Sequence, residues 1–241
     1  MPRSIVLDSK ICNLLEENES EERHTMNVVL LGPPGAGKGT HAFDLSRGFR
    51  VPHISTGDIF REEMRAQTEL GKLAQSYIDD GHLVPDDVVV RIAARRLKRP
   101  DARRGFILDG FPRTIPQAEK LDEILREMGK KLDTVVYLET PPEASVQRLS
   151  GRRVCRKCGA NFHLLNIPPR QAGICDRCGG ELYQREDDRP EAIRERFKEY
   201  QAKTEGLINY YRDRDLLTTV DAGVPRAQTL AELEALFRRL G

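Results

Sequence analysis

Lys38 sits in the run Gly32-Pro-Pro-Gly-Ala-Gly-Lys-Gly-Thr40, which contains Gly-x-x-x-x-Gly-Lys, and that combination suits a phosphate chain. Glycines let backbone N–H groups turn inward, and the N-terminus of a following helix adds partial positive charge. The ammonium group acts as a point charge that reaches the β- and γ-phosphates. The usual pattern places Ser or Thr directly after the lysine; here Gly39 intervenes and the hydroxyl comes one place later, at Thr40. Mg²⁺ keeps several waters, so a loop without the adjacent hydroxyl can hold it through water and the nucleotide's own oxygens. The bland alternative is a glycine-rich turn. The apolar run Val28-Val29-Leu30-Leu31 before the loop and the helical stretch after it argue against that reading. Asp109 ends a second apolar run, Gly105-Phe106-Ile107-Leu108. A carboxylate at the carboxyl end of a parallel strand faces a nucleotide; otherwise it caps a helix or turn.

Transfer to a sugar or protein hydroxyl requires a carboxylate to accept the proton, and no convincing candidate stands out. Arginine recurs instead beside Gly, Pro and Asp: Arg61 after Thr56-Gly57-Asp58, Arg113 after Asp109-Gly110-Phe111-Pro112, Arg152-Arg153 after Gly151, Arg185 before Asp187-Asp188, then Arg194 and Arg196. An acceptor that is itself a phosphate monoester needs no base, because with a second pKa near ~6 it is largely dianionic at pH 7. The obstacle becomes repulsion between two polyanions, which guanidinium forks offset. A single such arginine contributes ~10³–10⁵ in rate where it meets the transferred group, although any one Arg is by default a solvated surface charge.

Cys155-x-x-Cys158 and Cys175-x-x-Cys178 have the spacing of a four-thiolate zinc site, each pair followed by glycine (Gly159, Gly179). Four thiolates fill the tetrahedron, so the metal is expected to be structural and His163 to stand outside it. Redox thiols or a disulfide pair are the alternative. Cys12 has no partner in sight.

These groups need a scaffold, and 241 residues suffice for one large domain or a core with insertions. A net charge of +1 argues against a polybasic surface for nucleic acid or membrane, and no stretch approaches the ~18 apolar residues of a membrane helix. Residues 1–25 hold six acids against three bases and lack the features of a secretory signal, which makes cytoplasm the default address. A disordered acidic arm, or an upstream start codon wrongly chosen ahead of Met26, fits that segment. Buried parallel strands are expected at 28–31, 105–108, 134–138 and 216–220, with a weaker fifth at 53–55. Helices are expected at 38–47, 86–97, 114–128, 141–149, 191–212 and 227–240. The rhythm predicts an α/β fold with a parallel sheet flanked by helices, ligands lying beyond the strands' carboxyl ends. Residues 56–84 are helical without a strand, the second helix spanning 69–80. Residues 151–189 are rich in Gly and Pro and hold four of the five cysteines. Both read as insertions protruding from the strand ends.

From Met26 onward the chain resembles the adenylate kinase family in its long form with a four-cysteine zinc lid. The resemblance rests on Gly32–Thr40, Ser55-Thr-Gly-Asp58, Gly105-Phe-Ile-Leu-Asp-Gly-Phe-Pro-Arg-Thr114, Gly151-Arg-Arg153 and Arg185-Glu-Asp-Asp188. Gly39-Thr40 is that family's own version of the loop. The departures are the acidic arm and Ala222-Gly223-Val224, where many relatives place Gly and Lys against adenine. A base held there by main-chain oxygen would tolerate the second change.

The resemblance implies a P-loop core (26–54, 85–150, 189–241), an AMP-binding flap (55–84) and a zinc lid (151–188). It implies that Gly35, Ala36, Gly37, Lys38, Gly39 and Thr40 bind the phosphates of ATP, Lys38 bridging donor and transferred groups. Arg148 stacks on its base, and Asn161, Phe162 and Val224 touch the same nucleotide. Thr56, Arg61, His82, Leu83, Val84, Gly110, Phe111, Pro112, Arg113 and Gln117 bind AMP. Arg113, Arg152, Arg185 and Arg196 converge on the phosphoryl in flight, with Asp187 and Asp188 orienting lid arginines and Asp109 steadying magnesium through water. Cys155, Cys158, Cys175 and Cys178 hold zinc. The implied reaction is MgATP + AMP to two ADP in a monomer, without nucleic acid or membrane partners. Three rivals stay open. One is a kinase of different nucleotide choice, such as GTP:AMP or a pyrimidine monophosphate. Another is a nucleotide-switched binding protein, which would hydrolyse slowly and ignore AMP. The third is a zinc ribbon gripping nucleic acid through Arg152, Arg153, Arg156, Lys157, Arg170 and Arg177.

Overall fold

The computed structural model describes residues 26–240; the acidic arm and Cys12 lie outside the described residues. In chain order the elements are β1 (Met26–Leu31), α1 (Lys38–Phe49), β2 (His53–Ser55), α2 (Thr56–Arg65), α3 (Glu69–Ile78), α4 (Asp86–Leu97), β3 (Gly105–Asp109), α5 (Ile115–Glu127), β4 (Thr134–Glu139), α6 (Pro142–Ser150), β5 (Arg152–Cys155), β6 (Asn161–His163), β7 (Leu182–Tyr183), α7 (Pro190–Glu199), α8 (Gly206–Arg212), β8 (Leu217–Asp221) and α9 (Arg226–Leu240).

Five strands form one parallel sheet in the order β2-β3-β1-β4-β8. Every residue of β1 is buried, as a central strand covered on both faces must be. Its side chains alternate between two cores. Val28 and Leu30 pack with Ala42 and Leu45 of α1 and Leu233 and Phe237 of α9. Val29 and Leu31 join Val89 and Ala93 of α4, Leu121 and Leu125 of α5 and Leu207 and Tyr211 of α8. The register sets Asp109 opposite both Leu30 and Ser55, so the carboxylate emerges where β1 runs into the glycine loop and β2 into α2.

Two segments depart from the βαβ alternation. Helices α2 and α3 pack so closely that a Cβ on Gly71 would lie 2.1 Å from the Glu63 carbonyl oxygen. Residues 152–183 contribute a second, antiparallel sheet in the order β6-β5-β7, which the sequence reading treated only as a loop-rich insertion. Its small core is Cys155, Ala160, Phe162, Cys175 and Leu182.

One expected element is broken. Instead of a single helix over 191–212, α7 passes into a π-helical turn at Tyr200–Thr204 before α8. The Glu205 N–H reaches back to the Tyr200 carbonyl, 2.9 Å away. Such bulges inside helices are frequent at functional sites, and both Tyr200 and Thr204 face the cleft described next.

Candidate functional site

A cleft of about 730 Å³ opens beyond the carboxyl ends of the sheet, the location this topology favours for ligands. Its floor is the loop between β1 and α1. Gly35 and Gly37 take φ of +87° and +89°, values that only glycine adopts freely. The N-terminus of α1 carries no side-chain cap, so its first N–H groups remain free for an anion. Lys38 Nζ folds back to donate to the carbonyls of Gly32 (2.7 Å) and Pro33 (2.9 Å). Burial lowers its pKa to about 7, against the opposing pull of Asp109. A Cβ on Gly39 would lie 3.1 Å from Asp109 Oδ2. A side chain at residue 39 would therefore press on the carboxylate, which would have to give by a few tenths of an ångström. Asp109 is steadied by His53 Nε2 at 3.4 Å.

Opposite the loop, α2 and the β3–α5 connection form a second lobe. Thr56 Oγ1 donates to the Gly110 carbonyl at 3.0 Å, and Arg113 Nε to the same oxygen at 2.9 Å. Gln117, nearly sealed, accepts from the Arg113 N–H (2.8 Å) and donates to Asp86 (2.7 Å). Arg61 pairs with Asp58 at 2.6 Å, and Arg185 approaches the same carboxylate at 3.8 Å.

Between the lobes stand the arginines. Arg152 grips Asp188 through Nε (2.7 Å) and Nη2 (2.5 Å), and Arg196 Nη1 lies 3.1 Å from Asp187 and 3.2 Å from Asp188. Lys38, Arg61, Arg113, Arg152, Arg185 and Arg196 thus crowd around Asp58, Asp109, Asp187 and Asp188, while Glu199 on the same wall is taken up by His82 and Lys203. The crowding registers in their titration. Burial, then repulsion from Arg196, brings Arg113 down to about 10. Burial, with Arg61 and Arg152 nearby, brings Arg185 to about 9. Arg185 is 9% exposed and its buried Nε has no hydrogen-bond partner. Unpaired buried donors are rare; an incoming phosphate oxygen would satisfy this one. Three of the carboxylates beside the arginines are held below the usual carboxylate range. Burial raises Asp58, yet Arg61 and Arg185 hold it at about 2. Asp187 and Asp109 are lowered likewise despite their burial, by Arg196 and by His53 respectively.

The third wall joins Asn161 and Phe162 of β6 to Arg148 and residues 222–226. Arg148 donates to the Ala222 carbonyl at 2.8 Å. Of the residues expected at a nucleotide site, two lie outside the cleft wall. Phe111 is fully buried in the core beside the lining residues Gly110, Pro112 and Arg113. Asp188 sits behind the arginines that it holds. His41 and His53 line the cleft without having been singled out in the sequence; a lone histidine carries no spacing signal, and only tertiary contact reveals it.

The cysteines form a separate centre. The four sulfurs lie within 4.8 Å of one another, with Cys155–Cys178 at 3.4 Å and Cys158–Cys175 at 3.6 Å. A tetrahedron with metal–sulfur bonds of ~2.3 Å has edges of about 3.8 Å, so the quartet fits one metal ion. Gly159 and Gly179 turn each knuckle at φ +70° and +68°. Burial pushes the Cys155 thiol up, but the N–H groups of Cys158 and Lys157 more than offset this and bring it to about 7, while burial and the neighbouring thiols push Cys158 up to about 12; ligation by all four would therefore release protons on metal binding. His163 is not part of the group; its Nδ1 accepts from the N–H groups of Leu165 and Asn166, each at 3.0 Å.

The family model described as Adenylate kinase matches residues 30–216. A curated adenylate kinase of Caldicellulosiruptor bescii is 52% identical over 208 residues, which is 86% of this chain and 97% of that protein. One from Archaeoglobus fulgidus is 51% identical over 215 residues, covering 89% and 99% respectively. One from Streptomyces avermitilis is 52% identical over 215 residues, covering 88% and 98%.

Proposed function

The chain belongs to the adenylate kinase family, an ATP:AMP phosphotransferase that works with magnesium, and on that premise we propose how its residues divide the work. The observation that carries the proposal is the buried guanidinium cluster beside a glycine loop, with Asp58, Asp109 and Asp187 beside it held ionised. Such a site suits an acceptor that arrives already deprotonated, which is what the phosphate of AMP supplies.

In this reading the loop Gly35–Thr40 cradles the phosphates of ATP, and Lys38 leaves the carbonyls of Gly32 and Pro33 to bridge donor and transferred oxygens. Arg148 and the backbone at 222–224 hold the base, with Asn161 and Phe162 closing over the ribose side. Thr56, Arg61, His82–Val84, Gly110, Pro112, Arg113 and Gln117 hold AMP. Phe111 contributes only through its backbone and by packing the connection. Arg113, Arg152, Arg185 and Arg196 turn their remaining N–H groups to phosphate oxygens and draw the two nucleotides into line. Asp187 and Asp188 keep Arg152 and Arg196 aimed. Magnesium, when bound with ATP, supplies charge neutralisation, and Asp109 would meet its water shell. Residues 55–84 act as the flap over AMP and residues 151–188 as the lid over ATP, both closing on the core (26–54, 85–150, 189–241) to exclude water that would otherwise receive the phosphoryl group.

The four thiolates would hold zinc, which stabilises the lid and takes no part in transfer. The nucleic-acid reading loses support from the lid arginines: Arg152 is committed to Asp188, Arg156 pairs with Glu181 and stacks on Tyr183, and Arg177 covers Phe43 at 4.0 Å. We take the working unit to be one cytoplasmic monomer that balances adenine nucleotides, since residues of one chain line the whole cleft. No described helix is long and apolar enough to cross a membrane. The test is a coupled assay of ADP formation with ATP and each of AMP, GMP, CMP and UMP. AMP should stimulate far above the others; production no faster with AMP than with water would overturn the assignment.

A further inference from the structure

The roles above leave one polar group of the donor-side wall unused. His41, in the first turn of α1, lines the cleft yet is only 5% exposed. Its Nδ1 is buried with no hydrogen-bond partner. The opposite edge of the ring faces the glycine loop, where a Cβ on Gly37 would lie 3.4 Å from Cδ2 and 3.5 Å from Nε2. Nε2 bonds no protein atom and is not among the buried orphans, so it is the nitrogen open to the cleft. A neutral imidazole carries one N–H. Burying an unpaired N–H is rarer than burying an unpaired acceptor, so the proton belongs on Nε2. Burial, then repulsion from Arg226, depresses the ring to about 4, so it stays uncharged at physiological pH. The charged neighbours are already engaged, Arg226 with Asp44 and Arg148 with the Ala222 carbonyl.

We propose that His41 Nε2–H donates a hydrogen bond to an α-phosphate oxygen of the bound ATP. The assignment to the α-phosphate follows from placement. The ring lies between Gly37 of the phosphate loop and the base-side groups Arg148 and Ala222–Arg226, while Lys38 and the arginines occupy the transferring end. The inference rests on reading this cleft as the ATP site. The α-phosphate is present in ATP and ADP alike and its charge does not change during transfer, so the contact acts as uniform binding. It sets the affinity for the donor nucleotide and leaves turnover untouched.

The experiment compares wild type, His41→Leu and His41→Gln by calorimetric ATP titration, by the KM values for ATP and AMP, and by thermal melting. His41→Leu should weaken ATP affinity roughly tenfold, the scale of one hydrogen bond to a charged group, while kcat and the KM for AMP stay within about twofold. His41→Gln, which returns an N–H donor, should recover most of the loss. Sulfur placed on the contacted α-oxygen should weaken ATP binding to wild type more than to His41→Leu. Unchanged ATP affinity in the Leu variant would overturn the inference, as would a parallel loss of ATP and AMP affinity that glutamine does not rescue, since that pattern belongs to packing. Failure of wild type to form ADP from ATP and AMP would instead sink the reading of the reaction, because His41 is judged on ATP binding alone.

Discussion

Residue 39 shows how one side chain position is decided by the group across the cleft. Gly39 passes Asp109 so closely that a Cβ there would stand 3.1 Å from the carboxylate. Restoring the commoner motif with Gly39→Ser should therefore lower kcat, by roughly tenfold to a hundredfold if Asp109 shifts by about 1 Å; steady-state kinetics would show this with the KM for AMP little changed. Lys38 supplies a second prediction at this scale. Burial holds its pKa at about 7, far below the ordinary 10.5. The unfolded chain keeps the proton over that interval, so this group's destabilising contribution is full below about pH 7 and fades as pH rises toward 10.5. A phosphate beside it favours the ammonium form, so ATP binding at pH 8 should take up protons. Calorimetry in two buffers of different ionisation heat measures the uptake, and equal binding enthalpies in both would contradict it. Lys38, Asp109 and the arginines were legible in the sequence because their chemistry is tied to glycine loops and strand ends. His41 and His53 were not, because each matters only through a neighbour distant in the chain.

At the scale of elements, hydrophobic runs located β1, β3 and β4 to within two residues, since strands covered on both faces have few polar positions to blur them; the edge strands β2 and β8 carry polar, partly exposed positions and gave weaker signals. The antiparallel sheet beside the cysteines escaped notice because its strands hold four, three and two residues, too few to show alternation. The π-helical turn was equally hidden: one extra residue in a turn leaves the 3.6-residue period almost intact over so short a window. The small sheet's core includes two of the four cysteines, so the metal centre and the fold of this segment should stand or fall together. Cys155→Ser should lower bound zinc and the melting temperature well before it abolishes turnover. Metal analysis, melting curves and rates on the same preparation test this; full inactivation at an unchanged melting temperature would show the centre to act in the chemistry itself.

The molecule as a whole is built around a charge imbalance. Eight lysine and arginine side chains line the cleft against four carboxylates, and Arg185 retains a buried nitrogen without a partner. That arrangement suits polyanions. ATP together with AMP at about a hundredfold over their dissociation constants should stabilise the fold by about 5 kcal/mol, raising the melting temperature by roughly 10–20 °C. Inorganic phosphate should do much less, because it does not span the two lobes. A melting temperature indifferent to the nucleotides would contradict the imbalance. The central claim is that crowded guanidinium groups let one nucleotide phosphate attack another without a proton acceptor. Its most direct test is a crystal structure with a bisubstrate analogue, two adenosines joined by a chain of phosphates. The account predicts Arg113, Arg152, Arg185 and Arg196 within about 3 Å of the bridging phosphate oxygens, with no carboxylate in hydrogen-bond reach of the acceptor phosphate. Guanidinium groups pointing away from the bridging phosphates, or a carboxylate seated on the acceptor oxygen, would contradict it.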